Sequence, residues 1–333
     1  MGVGLREILA DYRTSVTWDA LAGSAAIDGN NALYQFLTII RQPDGTPLMD
    51  REGRVTSHLS GLFFRTATLM EKGIRPVYVF DGKPPELKAR TIEERRAVRT
   101  RAKEAWEEAM AAGDEKEAYK QARSATRLDR DLIAGAKELL GMMGIPYFDA
   151  PSEGEAQAAY MVQRGDVGYA VSQDYDSLLF GVPVLVRNLT VSGKRKIRGR
   201  TVSVEPERIV LSELLEGLGI TRDDLISMGI LIGTDFNTGI KGIGPKTALK
   251  IVRNGKFEET MGEKAPETDF GPIVDFFKNP PVLKDYSVEW RPPDEKGLYD
   301  LLCRNYDFSP VRVESVLEKM RSTTGQKTLD HWF

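Results

Sequence analysis

Along the first half of the chain, short apolar runs alternate with amphipathic stretches, and four of these runs close on carboxylates. "SAAID" ends at Asp28, "RPVYVFD" ends at Asp81, "IPYFDAPSEGE" leads into Glu153 and Glu155, and "GYAVSQDYD" ends at Asp174 and Asp176. Apolar runs this short read as strands. Between them, "NNALYQFLTIIR" and "TSHLSGLFFRTATLMEKG" carry helical spacing, the second with Thr56 or Ser57 placed to cap its start. Strand alternating with helix predicts an α/β fold with a mostly parallel, doubly wound sheet and flanking helices. Such sheets bind ligands just beyond the carboxyl ends of their strands, which is where these acids fall. One strand-terminal Asp is commonly a helix cap or a turn residue. Four strand ends delivering carboxylates to one rim point to a shared ligand.

Residues 83–128 break the alternation. The segment is rich in Ala, Glu, Lys and Arg and reads as two helices with a break at Ala112, Gly113 and Asp114. It has too few large apolar residues to be core. A solvated helical pair laced with charge pairs would have this composition. However, Lys88, Arg90, Arg95, Arg96, Arg99, Arg101 and Lys103 concentrate its basic charge in the part nearest Asp81. An insertion that starts at the acidic rim and is basic there can reach over it. Further on, "RNLTVSGKRKIRGRTVSVE" predicts a β-hairpin with a basic tip, and helices are expected near 205–218 and 221–232. Residues 256–311 are Pro-rich and read as irregular, and a last amphipathic helix near 311–322 precedes a polar tail.

Composition narrows the chemistry. With one cysteine (Cys303) and two histidines (His58, His331), disulfides within the chain and Cys/His zinc sites are excluded, and little remains for a Ser-His-Asp scheme. That leaves carboxylates to do any chemistry. The net charge of −3 argues against a nucleic-acid partner only as a sum, because a cluster of metal-binding acids hides a basic face from the total. No window has the length of uninterrupted apolar sequence that a membrane span needs, and the start "MGVGLREILADYR" lacks the layout of a signal peptide.

Asp28, Asp81, Glu153, Glu155, Asp174 and Asp176 offer oxygen ligands only, which suits Mg²⁺ or Mn²⁺. Six acids exceed what one ion needs, so a pair of ions ~3.5–4 Å apart, the geometry of phosphoryl displacement, is expected. Asp174 and Asp176 present to one side if the chain there is still extended. On a helix, Glu153 and Glu155 diverge and so take different roles.

Two more segments carry chemistry. In "LIGTDFNTGIKGIGPKTALKIV", Gly239, Gly242 and Gly244, with Pro245 at a helix start, describe a tight hairpin between helices. Its backbone N–H groups can grip a phosphate without reading a base, with Lys241, Lys246 and Lys250 adding charge. Asp235, just upstream, is placed to join the acidic cluster. In the terminal "QKTLDHWF", one helical turn puts Leu329, Trp332 and Phe333 on one side with Gln326 at its edge, which predicts docking into a partner's groove.

With these segments in order, the sequence resembles the flap endonucleases, the structure-specific 5′-nucleases of archaea and eukaryotes. The resemblance runs over nearly the whole chain, through "MGV", "YQFL", "TSHL", "PVYVFDGKPPELK", "MGIPYFDAPSEGEAQAA", "QDYDSLLFG", "GTDFNTGIKGIGPK" and "QKTLDHWF". It implies that Asp28, Asp81, Glu153, Glu155, Asp174, Asp176 and Asp235 form a two-metal site. It makes the insertion a helical arch that a single-stranded 5′ flap passes through, with Lys88 and Arg95 reaching the scissile phosphate. It places Tyr34 where an aromatic stacks on a base at the junction. It puts Gly2 among the DNA contacts, together with Gly239, Gly242, Gly244 and Lys246 of a helix-hairpin-helix turn that holds duplex phosphates, in the family with a potassium ion.

By the same resemblance Gln326, Leu329, Trp332 and Phe333 bind the sliding clamp. The expected organisation is one nuclease domain over 1–322, with the arch at 83–128, the helix-hairpin-helix at about 221–255 and a flexible tail at 323–333. The resemblance also implies a monomer that cuts near the base of a 5′ flap, trims 5′ ends exonucleolytically, and serves Okazaki fragment maturation and repair. Ending at Phe333 without a basic extension fits an archaeal, cytoplasmic protein, or a nuclear one if the source is eukaryotic. Two other readings use part of these features. A catalytically silent clamp adaptor would not need seven acids together, and a hydrolase of small phosphate esters would not need the arch, the hairpin turn or the tail.

Overall fold

The computed structural model describes residues 3–42, 44–191, 193–197 and 200–329. Its strands are β1 (Thr14–Ser15), β2 (Gly23–Asp28), β3 (Ile74–Phe80), β4 (Tyr147–Asp149), β5 (Tyr169–Val171), β6 (Val184–Arg187), β7 (Gly193–Ile197), β8 (Arg200–Val204) and β9 (Glu207–Val210). Seven of them form one sheet in the order β1-β9-β6-β5-β2-β3-β4. The pairs from β6 to β4 are parallel, and β9 and β1 add an antiparallel edge. The sheet is therefore mixed but mostly parallel, as the alternation predicts.

Side-chain alternation builds a core on each face of this sheet. Ala26, Val77, Val79 and Ala170 face one layer, while Ala25, Ile27, Tyr78, Phe80, Tyr169 and Val171 face the other. On the second face lie α1 (Gly29–Ile39) and α2 (Ser57–Glu71), through Leu33, Phe36, Leu59, Leu62 and Phe63. The arch follows as α3 (Ala89–Ala111) and α4 (Glu115–Ser124), and α5 (Arg130–Met142) returns to the second layer. On the first face are α6 (Gly154–Gln163), α7 (Asp176–Leu179), α8 (Leu211–Leu218), α9 (Arg222–Ile232) and α10 (Pro245–Arg253). Because β3 and β5 flank β2, the chain reverses its winding direction beside β2. The carboxyl ends of β2 and β5 flank the resulting crevice.

The arch has the predicted break, with Gly113 at φ +70° between α3 and α4. Its two helices close on small residues (Ala102, Ala109, Ala118, Ala122), which is how a segment without large apolar side chains still packs. The expected hairpin is β7 pairing with β8, and its tip residues 198–199 lie outside the described residues.

Three expectations change. The helix expected at 205–218 begins only at Leu211, because Glu207–Val210 is strand β9, paired with β6 on one side and with the short edge strand β1 on the other. Residues 256–311 contain helices at Phe257–Lys264, Gly271–Lys278 and Glu295–Tyr299, with a π-helical turn at Asp300–Asn305. Their buried Met261, Ile273, Phe277, Leu298 and Leu302 join the two cores. The last helix runs from Pro310 to Leu329, past the expected end at 322, so Gln326 and Leu329 lie on its backbone. No helix among the described residues is long and apolar enough to cross a membrane.

Candidate active site at the carboxyl rim of the sheet

The acids reach the rim from different kinds of element. Asp28 is both the last residue of β2 and the N-cap of α1, its Oδ1 accepting the Asn31 N–H at 2.9 Å, so it performs the ordinary capping role and faces the crevice as well. Asp81 follows β3 and accepts the Gly154 N–H at 2.8 Å. The approach is close: a Cβ on Gly154 would stand 3.0 Å from the Asp81 carboxylate. Glu153 and Glu155 come from the N-terminus of α6, Glu153 as its N-cap and Glu155 in its first turn. Asp235 lies on the connector between α9 and α10.

As expected for a helix, Glu153 and Glu155 diverge. Glu155 Oε1 accepts from the Ser172 hydroxyl at 2.7 Å and the Ser177 hydroxyl at 3.0 Å, on the β5 side of the crevice. Glu153 turns toward the arch. Asp174 and Asp176 do not share an extended backbone: β5 ends at Val171, Asp174 lies in a bend, and Asp176 is the first residue of α7. Asp176 instead accepts the Val3 N–H at 2.6 Å, across 173 residues of sequence.

Crowding dominates the electrostatics. Burial, then the Asp81 charge, pushes Asp28 well above the usual carboxylate range, and burial with the Asp176 charge does the same to Glu155. Burial also raises Asp81, and it lifts Asp176 to about 7 against the opposing Val3 hydrogen bond. Cations are what such a site lacks.

Two come from the arch. Lys88 Nζ lies 2.6 Å from Glu153 Oε2 and 3.2 Å from Asp235 Oδ2, and Arg95 Nη2 lies 2.5 Å from Asp235 Oδ1. Burial opposes the charge on Lys88, but Glu153 and Asp235 overcome it and raise its pKa. Lys88 and Arg95 thus bind the start of α3 to the acid rim. Among the described residues, no three His, Cys, Asp or Glu side chains stand close enough to hold a metal ion as placed. The acids converge on one crevice but are paired with arch bases on one side and with hydroxyls and backbone N–H groups on the other.

Tyr34 stands 43% exposed on α1, the helix that Asp28 caps. The Arg41 guanidinium just after α1 donates to the Gly45 carbonyl at 2.5 Å and to the Thr126 hydroxyl, tying the return limb of the arch to the end of α1. In the hairpin between α9 and α10, Gly239 has φ +67° and Gly242 φ +89°, conformations that favour glycine. Gly244 caps α10 with Pro245 in its first turn. Lys246 is paired with Glu7 at 2.6 Å on the surface. Gly2, Trp332 and Phe333 lie outside the described residues. Sequence reasoning missed Ser172, Ser177, Val3, Asn31 and Glu7, whose partners are reached through space. The hydroxyls flanking "QDYD" were the only visible signal.

The chain matches known proteins over its whole length. Residues 1–102 match the family model for the XPG N-terminal domain and residues 144–235 that for the XPG I-region. It is 63% identical over 333 residues to flap endonuclease 1 of Methanoculleus marisnigri, covering 100% of both chains. Among solved structures it is similar to flap endonuclease-1 from Methanococcus jannaschii, with TM-score 0.77 and 41% identity over 96% of this chain and 99% of that one. The catalytic core of Rad2 in complex with DNA substrate shares the fold, with TM-score 0.71 and 24% identity over 96% of this chain and 100% of that one.

Proposed function

Since the chain belongs to the flap endonuclease family, and is a structure-specific 5′ flap endonuclease that hydrolyses DNA phosphodiesters, we propose that the acidic crevice is its catalytic centre. The family is metal-dependent. Asp28, Asp81, Glu153, Glu155, Asp174, Asp176 and Asp235 are all-oxygen donors whose crowding calls for positive charge, and they suit two Mg²⁺, or Mn²⁺ in their place. Bound there, such ions supply Lewis-acid stabilisation of the phosphate and lower the pKa of a water.

The chain's own residues do the rest. The observation that carries this reading is the contact of Lys88 and Arg95 with Glu153 and Asp235, which makes the arch base and the acid rim one site. When a flap passes the arch, both cations are within reach of a phosphate at the rim and stabilise the charge that builds on it. Tyr34 stacks on a base at the unpaired junction. The hairpin turn with Gly239, Gly242, Gly244 and Lys246 holds duplex phosphates through backbone N–H groups, with K⁺ as a partner there, and Lys246 exchanges Glu7 for DNA. Gly2 joins these contacts from the N-terminus. Specificity comes from DNA shape.

The chain works as one nuclease domain, residues 1–322, and as a monomer. Gln326, Leu329, Trp332 and Phe333 dock on a sliding clamp. Cutting 5′ flaps and trimming 5′ ends serves Okazaki fragment maturation and repair in the cytoplasm of an archaeal cell. The test is cleavage of an end-labelled double-flap DNA beside a blunt duplex and a single strand, each with Mg²⁺ and with chelator. Metal-dependent cutting at one position near the flap base is expected. Tight flap binding without product would replace this reading with a silent adaptor.

A further inference from the structure

Asn31 touches two rim acids at once. Its backbone N–H donates to Asp28 at 2.9 Å and its side-chain Nδ2 to Asp174 Oδ2 at 3.3 Å, so it bridges the ends of β2 and β5 across the crevice. An amide can flip, and flipping would turn its oxygen toward the carboxylate. Flipping Asn31 alone would also break a second hydrogen bond. Asn31 Oδ1 accepts from Gln35 Nε2 one turn along α1, and Gln35 Oε1 in turn accepts from the Thr190 hydroxyl at 3.0 Å. Thr190 is buried in the turn after β6, so the relay is anchored in the protein rather than in solvent. Donation runs from Thr190 through Gln35 and Asn31 and ends on the acceptor-only carboxylate of Asp174.

We propose that Asn31, locked by Gln35 and Thr190, is a positioning residue that sets the separation of Asp28 and Asp174 for metal binding. The proposal rests on reading these acids as metal ligands. Partners behind a metal-binding carboxylate fix its direction, and losing one costs roughly 10–100-fold in metal affinity or activity. The relay also runs along the face of α1 next to Tyr34, so the helix that meets the junction carries the support of the metal site as well.

The experiment is Mn²⁺ binding to the full chain, read by electron paramagnetic resonance of the free ion, with single-turnover flap cleavage against Mn²⁺ concentration as a second readout. Asn31→Leu keeps the branching at Cγ and removes the amide. Its Mn²⁺ dissociation constant is expected to rise about 10-fold or more, with cleavage recovering at saturating Mn²⁺ and the thermal midpoint close to that of the parent. Thr190→Val is expected to shift affinity in the same direction by less, and Thr190→Ser, which keeps the hydroxyl, to restore it. Parent affinity in Asn31→Leu would overturn the proposal, as would equal weakening in Thr190→Val and Thr190→Ser. If Asn31→Leu fails to fold, the Thr190 pair decides. Asp174→Ala is the separate control: unchanged Mn²⁺ affinity there would refute the reading of the acids themselves.

Discussion

Replacing Lys88 by Met removes one charge and keeps most of the stem, and its effect on stability should depend on metal. Lys88 is largely buried, with Glu153 at 2.6 Å and Asp235 at 3.2 Å. Removing one partner of a buried ion pair costs about 3–5 kcal/mol, because the other charge is left uncompensated. Asp235 keeps Arg95, so only Glu153 is fully orphaned, and the lower end, about 3 kcal/mol, applies. Unfolding entropy of about 2.1 cal/mol/K per residue gives roughly 0.7 kcal/mol/K for a chain of 333 residues, so the melting midpoint should fall by about 4 °C in chelator. In saturating Mg²⁺ the ions take over the neutralising role, and the fall should shrink to a small fraction of that. Flap cleavage under single-turnover conditions should nevertheless drop by about 10²–10³, the typical effect of losing one preorganised charge-stabilising group. The assay is calorimetry of both proteins in chelator and in Mg²⁺. Equal shifts in the two conditions would refute the idea that Lys88 and the metals share the same acids.

Asp81→Ala and Asp174→Ala should abolish cleavage while flap binding, measured by fluorescence anisotropy in Ca²⁺, stays within a few-fold; near-normal turnover in either would remove it from the site. Tyr34→Ala should weaken flap binding by the ~1–3 kcal/mol that one base–aromatic stack contributes, and Tyr34→Phe should not, as read by titration of a double-flap DNA. Gly239→Ala forces a side chain into φ +67° and against the Ile232 carbonyl. Left-handed strain of about 1–2 kcal/mol should weaken duplex binding roughly 5–30-fold, and unchanged affinity would exclude the turn as a grip. Deleting residues 326–333 should bring stimulation by the clamp to none in a cleavage assay, and persistent stimulation would place the clamp site elsewhere.

What was legible in the sequence came from local signals. The apolar runs before Asp28 and Asp81 are strands, β2 ending on Asp28 and β3 one residue before Asp81, and Gly113 marks the turn of the arch because the chain needs φ > 0 at that point. The signal failed where neighbours in space decide. Ile209 and Val210 are β-branched, but only pairing with β6 makes that stretch a strand before the amphipathic Leu211–Leu218. Asp174 and Asp176 look like one strand end, yet the helix start at Asp176 re-aims it toward the Val3 N–H. The donors that hold Glu155 and Asp174 in place are a serine, another serine and an asparagine, residue types that in a bare sequence read as turns and caps.

The connector between α9 and α10 carries Asp235 four positions ahead of Gly239, and the Thr234–Asn237 bridge braces the stretch between them. On the proposed reading, the acid belongs to the place of cutting and the glycine to the place where duplex is held. Their spacing would then work as a built-in ruler, with the bond chosen for cleavage counted off by the protein's backbone and not by the base sequence. Lengthening the connector by one residue would then move the scissile position along the strand, while leaving both contacts chemically intact.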